Sequence, residues 1–301
     1  DLGDPQQIEE LWGVLDPYLD RIVGVVHLAA HYDFTNRDDP RYLRLSEAMP
    51  TLLSKIATTL APGAPLVYAS SMAAMAPTEP GEPLKPDSPK LGAWAYPKYK
   101  IEAEKNLHQA ELPQPVVELV LAGVYSDLCE LVPLYQQIER VGRRSIESYF
   151  YPGDTERGLT YVHIEDAARA FRLALEAFTG SGGTHRFLIG QHAPVTYKAI
   201  HVATSQAFHG RVLPMFPMPK ALALVGALFL NALAWTLGRR RFLQPWMIQF
   251  AGEHFEFDLS DTQKELGWAP ERTLQDDLER ILQVAVYHRN LWREVNDERP
   301  W

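Results

Sequence analysis

The sequence predicts an α/β fold built on a parallel sheet. Short apolar runs occur at 22–30 (Ile-Val-Gly-Val-Val-His-Leu-Ala-Ala), 65–73 (Pro-Leu-Val-Tyr-Ala-Ser-Ser-Met-Ala) and 116–126 (Val-Val-Glu-Leu-Val-Leu-Ala-Gly-Val-Tyr-Ser). They are nearly continuous in apolar residues, as strands buried on both faces of a parallel sheet are. Stretches of helical composition lie between them, at 41–60 and 94–111. At 301 residues the chain can form one large domain or two smaller ones.

Composition narrows the function classes. A hydrophobic content of 46% and a charged content of 22% are those of an ordinary globular protein. The net charge of −9 argues against a general nucleic-acid binder. Cys129, the only cysteine, excludes an internal disulfide and a multi-cysteine metal site, and it fits a reducing compartment. A cytoplasmic protein without a secretory signal or a metal site is the expectation.

Taken in order, Asp1-Leu2-Gly3-Asp4-Pro5 reads as a strand end running into a helix. Asp4 serves as N-cap and Pro5 as first helical residue. Residues 6–20 continue that helix and 25–30 form a strand, with His27 a packed strand histidine. The stretch 31–40 is a polar and aromatic loop, and 41–60 is a helix that Pro50 is placed to kink. The strand at 65–73 ends in Ser70 and Ser71, whose hydroxyls would ordinarily satisfy nearby backbone groups. Residues 77–91 are rich in Pro, Gly and charge and read as a mobile loop.

The helix after that loop carries the chemistry. Tyr96 and Lys100 are four residues apart, which stacks them on one helix face. An ammonium beside a phenol favours the phenolate and would draw Tyr96 down from a reference pKa of about 10 towards acid–base work. Pro97 is accepted in a first turn. The pair alone is a weak signal, since most such spacings are a surface tyrosine and a solvated lysine.

Further on, 130–142 is a helix and 186–190 a strand. In 158–170 (Gly-Leu-Thr-Tyr-Val-His-Ile-Glu-Asp-Ala-Ala-Arg-Ala), Asp166 would cap or anchor the helix that follows. Residues 221–237 hold no charge and are followed by Arg239, Arg240 and Arg241. A buried helix, a helix lining a pocket for an apolar substrate, and a peripheral membrane contact through 220–241 all fit that pattern. Near the end, Leu266-Gly267-Trp268-Ala269-Pro270 makes Gly267 a helix stop.

A strand ending in Ser-Ser, a loop, and a helix opening with Tyr-x-x-x-Lys together resemble the short-chain dehydrogenase/reductase superfamily. The His-Leu-Ala-Ala strand, Val162-His163-Ile164-Glu165-Asp166 and Leu-Gly-Trp-x-Pro resemble its extended branch, which includes nucleotide-sugar epimerases and dehydratases and 3β-hydroxysteroid dehydrogenases. The resemblance runs from Asp1 to about residue 285. It implies a doubly wound, Rossmann-like parallel sheet with a smaller C-terminal substrate domain. Residues 1–125 and 158–190 would form the dinucleotide-binding part, and 126–157 and 191–301 the substrate part. Asp1-Leu2-x-Asp4 matches the element closing the family's third strand, so the first βαβ unit and its Gly-x-x-Gly-x-x-Gly turn are expected to be missing from this sequence.

The resemblance also implies roles. Ser71 would hold the substrate oxygen, Tyr96 would exchange its proton, and Lys100 would bind the nicotinamide ribose and lower the tyrosine pKa. NAD or NADP would lie against Asp1, Leu2, Leu28, Ala29, Ala30, Ala69, Leu121 and Val124, together with Tyr96 and Lys100. Ser46 stands nearest the family's relay asparagine, and Val120-Leu121 replaces an Arg-Pro pair. The expected activity is NAD(P)-dependent oxidoreduction of a secondary alcohol or ketone, with the apolar stretch favouring a sterol-like or other lipid substrate. A nucleotide-sugar epimerase or dehydratase is the first alternative, with Arg143, Arg144 and Arg157 to meet a diphosphate. A catalytically silent binding subunit is the second. A homodimer pairing the helices at 41–60 and 94–111 through Leu52, Leu53, Ile56, Ile101 and Leu107 is the expected assembly.

Overall fold

The computed structural model describes residues 1–37, 39–238 and 241–296. The first third of the chain runs α1 (Pro5–Leu15), β1 (Val25–His27), α2 (Pro40–Thr59), β2 (Leu66–Ser71) and α3 (Ala95–Gln109). The middle holds β3 (Val116–Leu121), β4 (Gly123–Tyr125), α4 (Val132–Gly142), β5 (Phe150–Pro152), β6 (Gly158–Leu159), β7 (Tyr161–His163), α5 (Ile164–Phe178) and β8 (Thr184–Ile189). The remainder is β9 (Val195–Thr196), α6 (Tyr197–His209), β10 (Phe216–Met218), α7 (Lys220–Thr236), α8 (Leu274–Tyr287) and α9 (Arg289–Asn296).

The centre is a parallel sheet in the order β1-β2-β3-β8. Its strands are buried on both faces, which is why they read as apolar runs. Side chains alternate across the sheet. Leu66, Tyr68 and Val116 meet α1, α2 and α3 through Ile8, Met49, Leu53, Ile56, Tyr99 and Leu107. Val67, Val117 and Leu119 meet α5 and the C-terminal segment through Ala170, Ala174, Phe178, Leu266 and Trp268. Helices therefore cover both faces, and the fold is doubly wound. A separate cluster joins α4, α6, α8 and α9 around Tyr135, Ile138, Ile281 and Trp292.

Local signals explain the helix starts. Asp4 accepts from Gln6 N at 2.9 Å and Asp39 from Arg41 N at 2.8 Å, each with proline as the next residue. Pro50 lies within α2 without ending it, on the exposed side.

Four expectations are corrected. The strand expected at 25–30 ends at His27, because the chain then leaves the sheet edge towards Tyr42, whose hydroxyl accepts from Asp33 N; Leu28 is 59% exposed. The loop at 77–91 is tied down rather than mobile: Leu84 is buried, and Thr78, Leu84 and Asp258 make backbone bonds that join it to 254–258. Leu52, Leu53, Ile56 and Leu107 do not face a second copy, since they are buried in the core beneath α2 and α3. α7 is not a buried helix, because its large apolar side chains face outward. No helix among the described residues is long and apolar enough to cross a membrane.

Asp166 anchors rather than caps. The N-cap of α5 is His163, whose ring accepts from Glu165 N. The Asp166 carboxylate accepts from the backbone N–H of Glu271 and Arg272, at 3.0 and 2.9 Å. Trp268 Nε1 donates to Asp166 O at 2.9 Å. Gly267 turns the chain at φ 65° to bring Trp268 inward.

Candidate active site

Parallel strands all end at one edge, and ligand sites of such sheets lie outside their carboxyl ends. β2 delivers Ser71 to that edge, opposite Leu121 of β3. Ser71 Oγ accepts from Ala73 N at 3.2 Å, which caps a short turn over Met72–Ala74. The same hydroxyl stands near enough to that of Tyr96 to favour its phenolate. Ser71 thus satisfies local backbone, as its position at a strand end suggests, and lies beside Tyr96.

α3 opens at Ala95, so Tyr96 sits in its first turn and Lys100 one turn later. Lys100 is 3% exposed, and its Nζ donates to Ala69 O at 2.8 Å. It lies 5.1 Å from the Tyr68 ring centroid and 5.9 Å from that of Tyr96. One acceptor leaves ammonium N–H groups free for a ligand. Tyr32 and Trp94 pack on the Tyr96 ring at 4.7 and 5.6 Å between centroids.

The electrostatics differ from the sequence expectation. Burial pushes Tyr96 up to about 12, and the nearby Ser71 hydroxyl offsets only part of this. Lys100 does not draw it down. Burial lowers Lys100 itself to about 8, against the attraction of Glu104. Sequence spacing showed the pairing of the two groups but not their shared removal from water, and here desolvation outweighs the charge. His27, stacked on Tyr68 at 5.6 Å, is lowered to about 4 by burial and then by Lys100, so it is a neutral packed histidine.

On the other side of α2, Asp1, Leu2, Ala29 and Ala30 line one recess of about 290 Å³. His31, Arg41 and Arg44 complete it and were not singled out from the sequence. Leu28, next to Ala29 in the chain, is exposed. Val124 lies on β4, which pairs with β7 rather than with the main sheet. Ser71, Ala69, Tyr96, Lys100 and Leu121 are gathered at the sheet edge, while Asp1, Leu2, Ala29 and Ala30 form the second group.

Beside Ser71 and Tyr96, through Met72 and Trp94, opens a cavity of about 320 Å³. Its wall is mostly apolar, with Phe34, Met75, Trp246 and Phe250 prominent. Its charged lining residues are Arg140, Glu147 and Glu253. Burial lowers Arg140 to about 10 and raises Glu253 to about 7. Arg143, Arg144 and Arg157 do not line it: they bond Glu139, His209 and Glu79 respectively.

Sequence reasoning also missed a buried charged network behind the site. Glu104 accepts from Ser70 Oγ and pairs with Lys90 and Arg186; Arg186 also pairs with Glu118, which meets His108. Burial works against the charge of Glu104, but Arg186, Lys90 and Ser70 outweigh it and hold its carboxyl below the usual range. The available signals were Glu118 inside an apolar strand and Glu104 one turn beyond Lys100 on the same helix face.

Residues 10–190 match the NAD dependent epimerase/dehydratase family. Comparison with curated proteins found no match. Among solved structures, UDP-glucose 4-epimerase of Thermotoga maritima, crystallised with UDP-glucose, is 19% identical over 97% of this chain and 84% of that one, with a TM-score of 0.67. The crystal structure of gox2253 is 22% identical over 96% of this chain and 83% of its own, at 0.65. dTDP-glucose 4,6-dehydratase of Bacillus anthracis, in complex with NAD, is 15% identical over 97% and 81%, at 0.61. At these identities the likeness speaks for the fold.

Proposed function

The chain belongs to the NAD dependent epimerase/dehydratase family, and on that premise we propose that it oxidises a secondary alcohol, or reduces the matching ketone, on a largely apolar substrate. The observation that carries this reading is the neighbouring Ser71 and Tyr96 hydroxyls, with Lys100 behind them, beside an apolar cavity.

In the reducing direction Tyr96 gives its phenolic proton to the carbonyl oxygen while Ser71 donates a hydrogen bond to that oxygen. In the oxidising direction the Tyr96 phenolate takes the alcohol proton, while Ser71 keeps its hydrogen bond to the same oxygen. NAD or NADP, when bound, supplies or accepts the hydride. Lys100 has ammonium N–H groups to offer the nicotinamide ribose once Ala69 O is served. Asp1, Leu2, Leu28, Ala29 and Ala30 would hold the adenine end, and Leu121 and Val124 the nicotinamide end. The apolar wall suits a sterol-like or other lipid alcohol, because burying such a surface is the main source of its affinity.

A nucleotide-sugar substrate is the second reading. It is favoured by Arg140 in the cavity and by the UDP-glucose held by the Thermotoga maritima epimerase. The assembly we propose is a homodimer that uses the outward faces of α2 and α3; a single-chain mass in dilute solution would speak against it.

Following NADH or NADPH absorbance with a sterol alcohol and, separately, epimer formation from UDP-glucose tests the substrate class. Turnover of UDP-glucose alone overturns the apolar reading. Tyr96→Phe should keep the fold and lower turnover by roughly 10²- to 10⁴-fold. Near-normal turnover by that variant ends the assignment of Tyr96, and no turnover by either substrate class points to a catalytically silent binding subunit.

A further inference from the structure

α7 inverts the usual arrangement of a surface helix. The side chains it buries against the body are the alanines Ala223, Ala227 and Ala234. Leu222, Val225, Leu228, Phe229 and Trp235 are each more than half exposed, Trp235 by 81%. A helix at a water-facing surface turns its large apolar residues inward instead. A contiguous apolar face of this kind marks a contact with something apolar.

The charge around this face identifies the occupant. From Lys220 to Ala251 the sequence contains no Asp or Glu, although the whole chain carries a net charge of −9. Its charged residues are Lys220 at one end of α7 and Arg239, Arg240 and Arg241 just past the other. Arg241 is paired with Glu147, and Lys220 Nζ donates to the uncharged Gln249 O. Apolar side chains bounded by cations, with a tryptophan near one end, are the composition of a helix lying in the headgroup region of an anionic bilayer. A second copy of the chain would bring the same cations with no acid from this stretch to meet them.

We propose that α7 docks the protein, lying flat, on an anionic phospholipid surface. Position adds a consequence. A cavity of about 260 Å³ lies between α7 and the body, and its lining includes Phe150, Pro152 and Leu243. The same three residues line the cavity beside Ser71 and Tyr96. Docking therefore sets against lipid a cavity that adjoins the one beside Ser71 and Tyr96. The docking itself rests on exposure and charge, not on which alcohol the site accepts.

Flotation of the full chain with phosphatidylcholine vesicles, with and without phosphatidylglycerol, tests this. The protein should float with the phosphatidylglycerol vesicles and less so with phosphatidylcholine alone or at high salt. Phe229→Asp with Trp235→Asp should lower the bound fraction about tenfold or more. Val225→Asp, at an independent outward position, should act in the same direction. Wild-type protein that stays unbound with phosphatidylglycerol at low salt overturns the proposal. So does binding that all three substitutions leave unchanged. A solution dimer that these substitutions split would assign the face to a second copy and also overturn it.

Discussion

His27 shows how one side chain sets a pH limit. Its folded value of about 4 lies below the ordinary 6.5, because burial and Lys100 both oppose its charge. The unfolded chain then binds a proton that the folded chain refuses between those two values, so stability falls as pH drops through that window. The loss can reach about 3 kcal/mol for a shift of this size. His27→Phe keeps the stacking on Tyr68 and removes the titration. Melting curves across that range should show a shallower acid limb for the variant than for the wild type, and identical limbs would refute the account. Tyr96 and Lys100 are the companion case: both lose water together, so the pairing expected to make the phenol acidic leaves Tyr96 protonated at neutral pH.

α3 is more than a carrier for Tyr96 and Lys100. Glu104, one turn past Lys100, bonds Ser70 of β2 and pairs with Arg186 of β8, which also holds Glu118 of β3. The helix is thereby fastened to three strands at the point where Ser71 emerges. Glu104→Ala would leave the buried Ser70 hydroxyl without its acceptor and Arg186 with Glu118 alone. Breaking a buried pair in this way costs about 3–5 kcal/mol. Chemical denaturation should show a loss of that size, with a drop in kcat/KM as Ser70 and its neighbour Ser71 lose their fixed position. An unchanged unfolding midpoint would show that the network contributes nothing to the junction.

The far end of the chain closes the whole molecule. Trp268 is fully buried against the sheet face opposite α3 and donates to Asp166 O. Asp166 in turn holds the backbone of Glu271 and Arg272. Trp268→Ala should cost about 3–5 kcal/mol, the range for deleting a large aromatic from a packed core. The loss should appear as a lower melting temperature in a single transition, because the residue belongs to the same core as Val117 and Leu119. A separate early transition confined to the C-terminal segment would contradict that shared core.

Much of the fold was legible because its signals are local. Strands buried on both faces must be apolar throughout, so β2 and β3 announced themselves in Val, Leu and Ala. Asp4-Pro5 and Gly267 mark a helix start and stop by their own backbone preferences. The Tyr96–Lys100 pair follows from helical spacing, and its match to Ser71 from the order of strand, loop and helix. What only the tertiary structure decided depends on water and on distant partners. The early end of β1, the anchored loop at 77–91 and the raised pKa of Tyr96 come from contacts between segments far apart in sequence. α7 is the clearest case. Its apolar run is the same string of letters whether it lies in a core or on a surface, and packing alone turned the alanines inward and left Phe229 and Trp235 exposed.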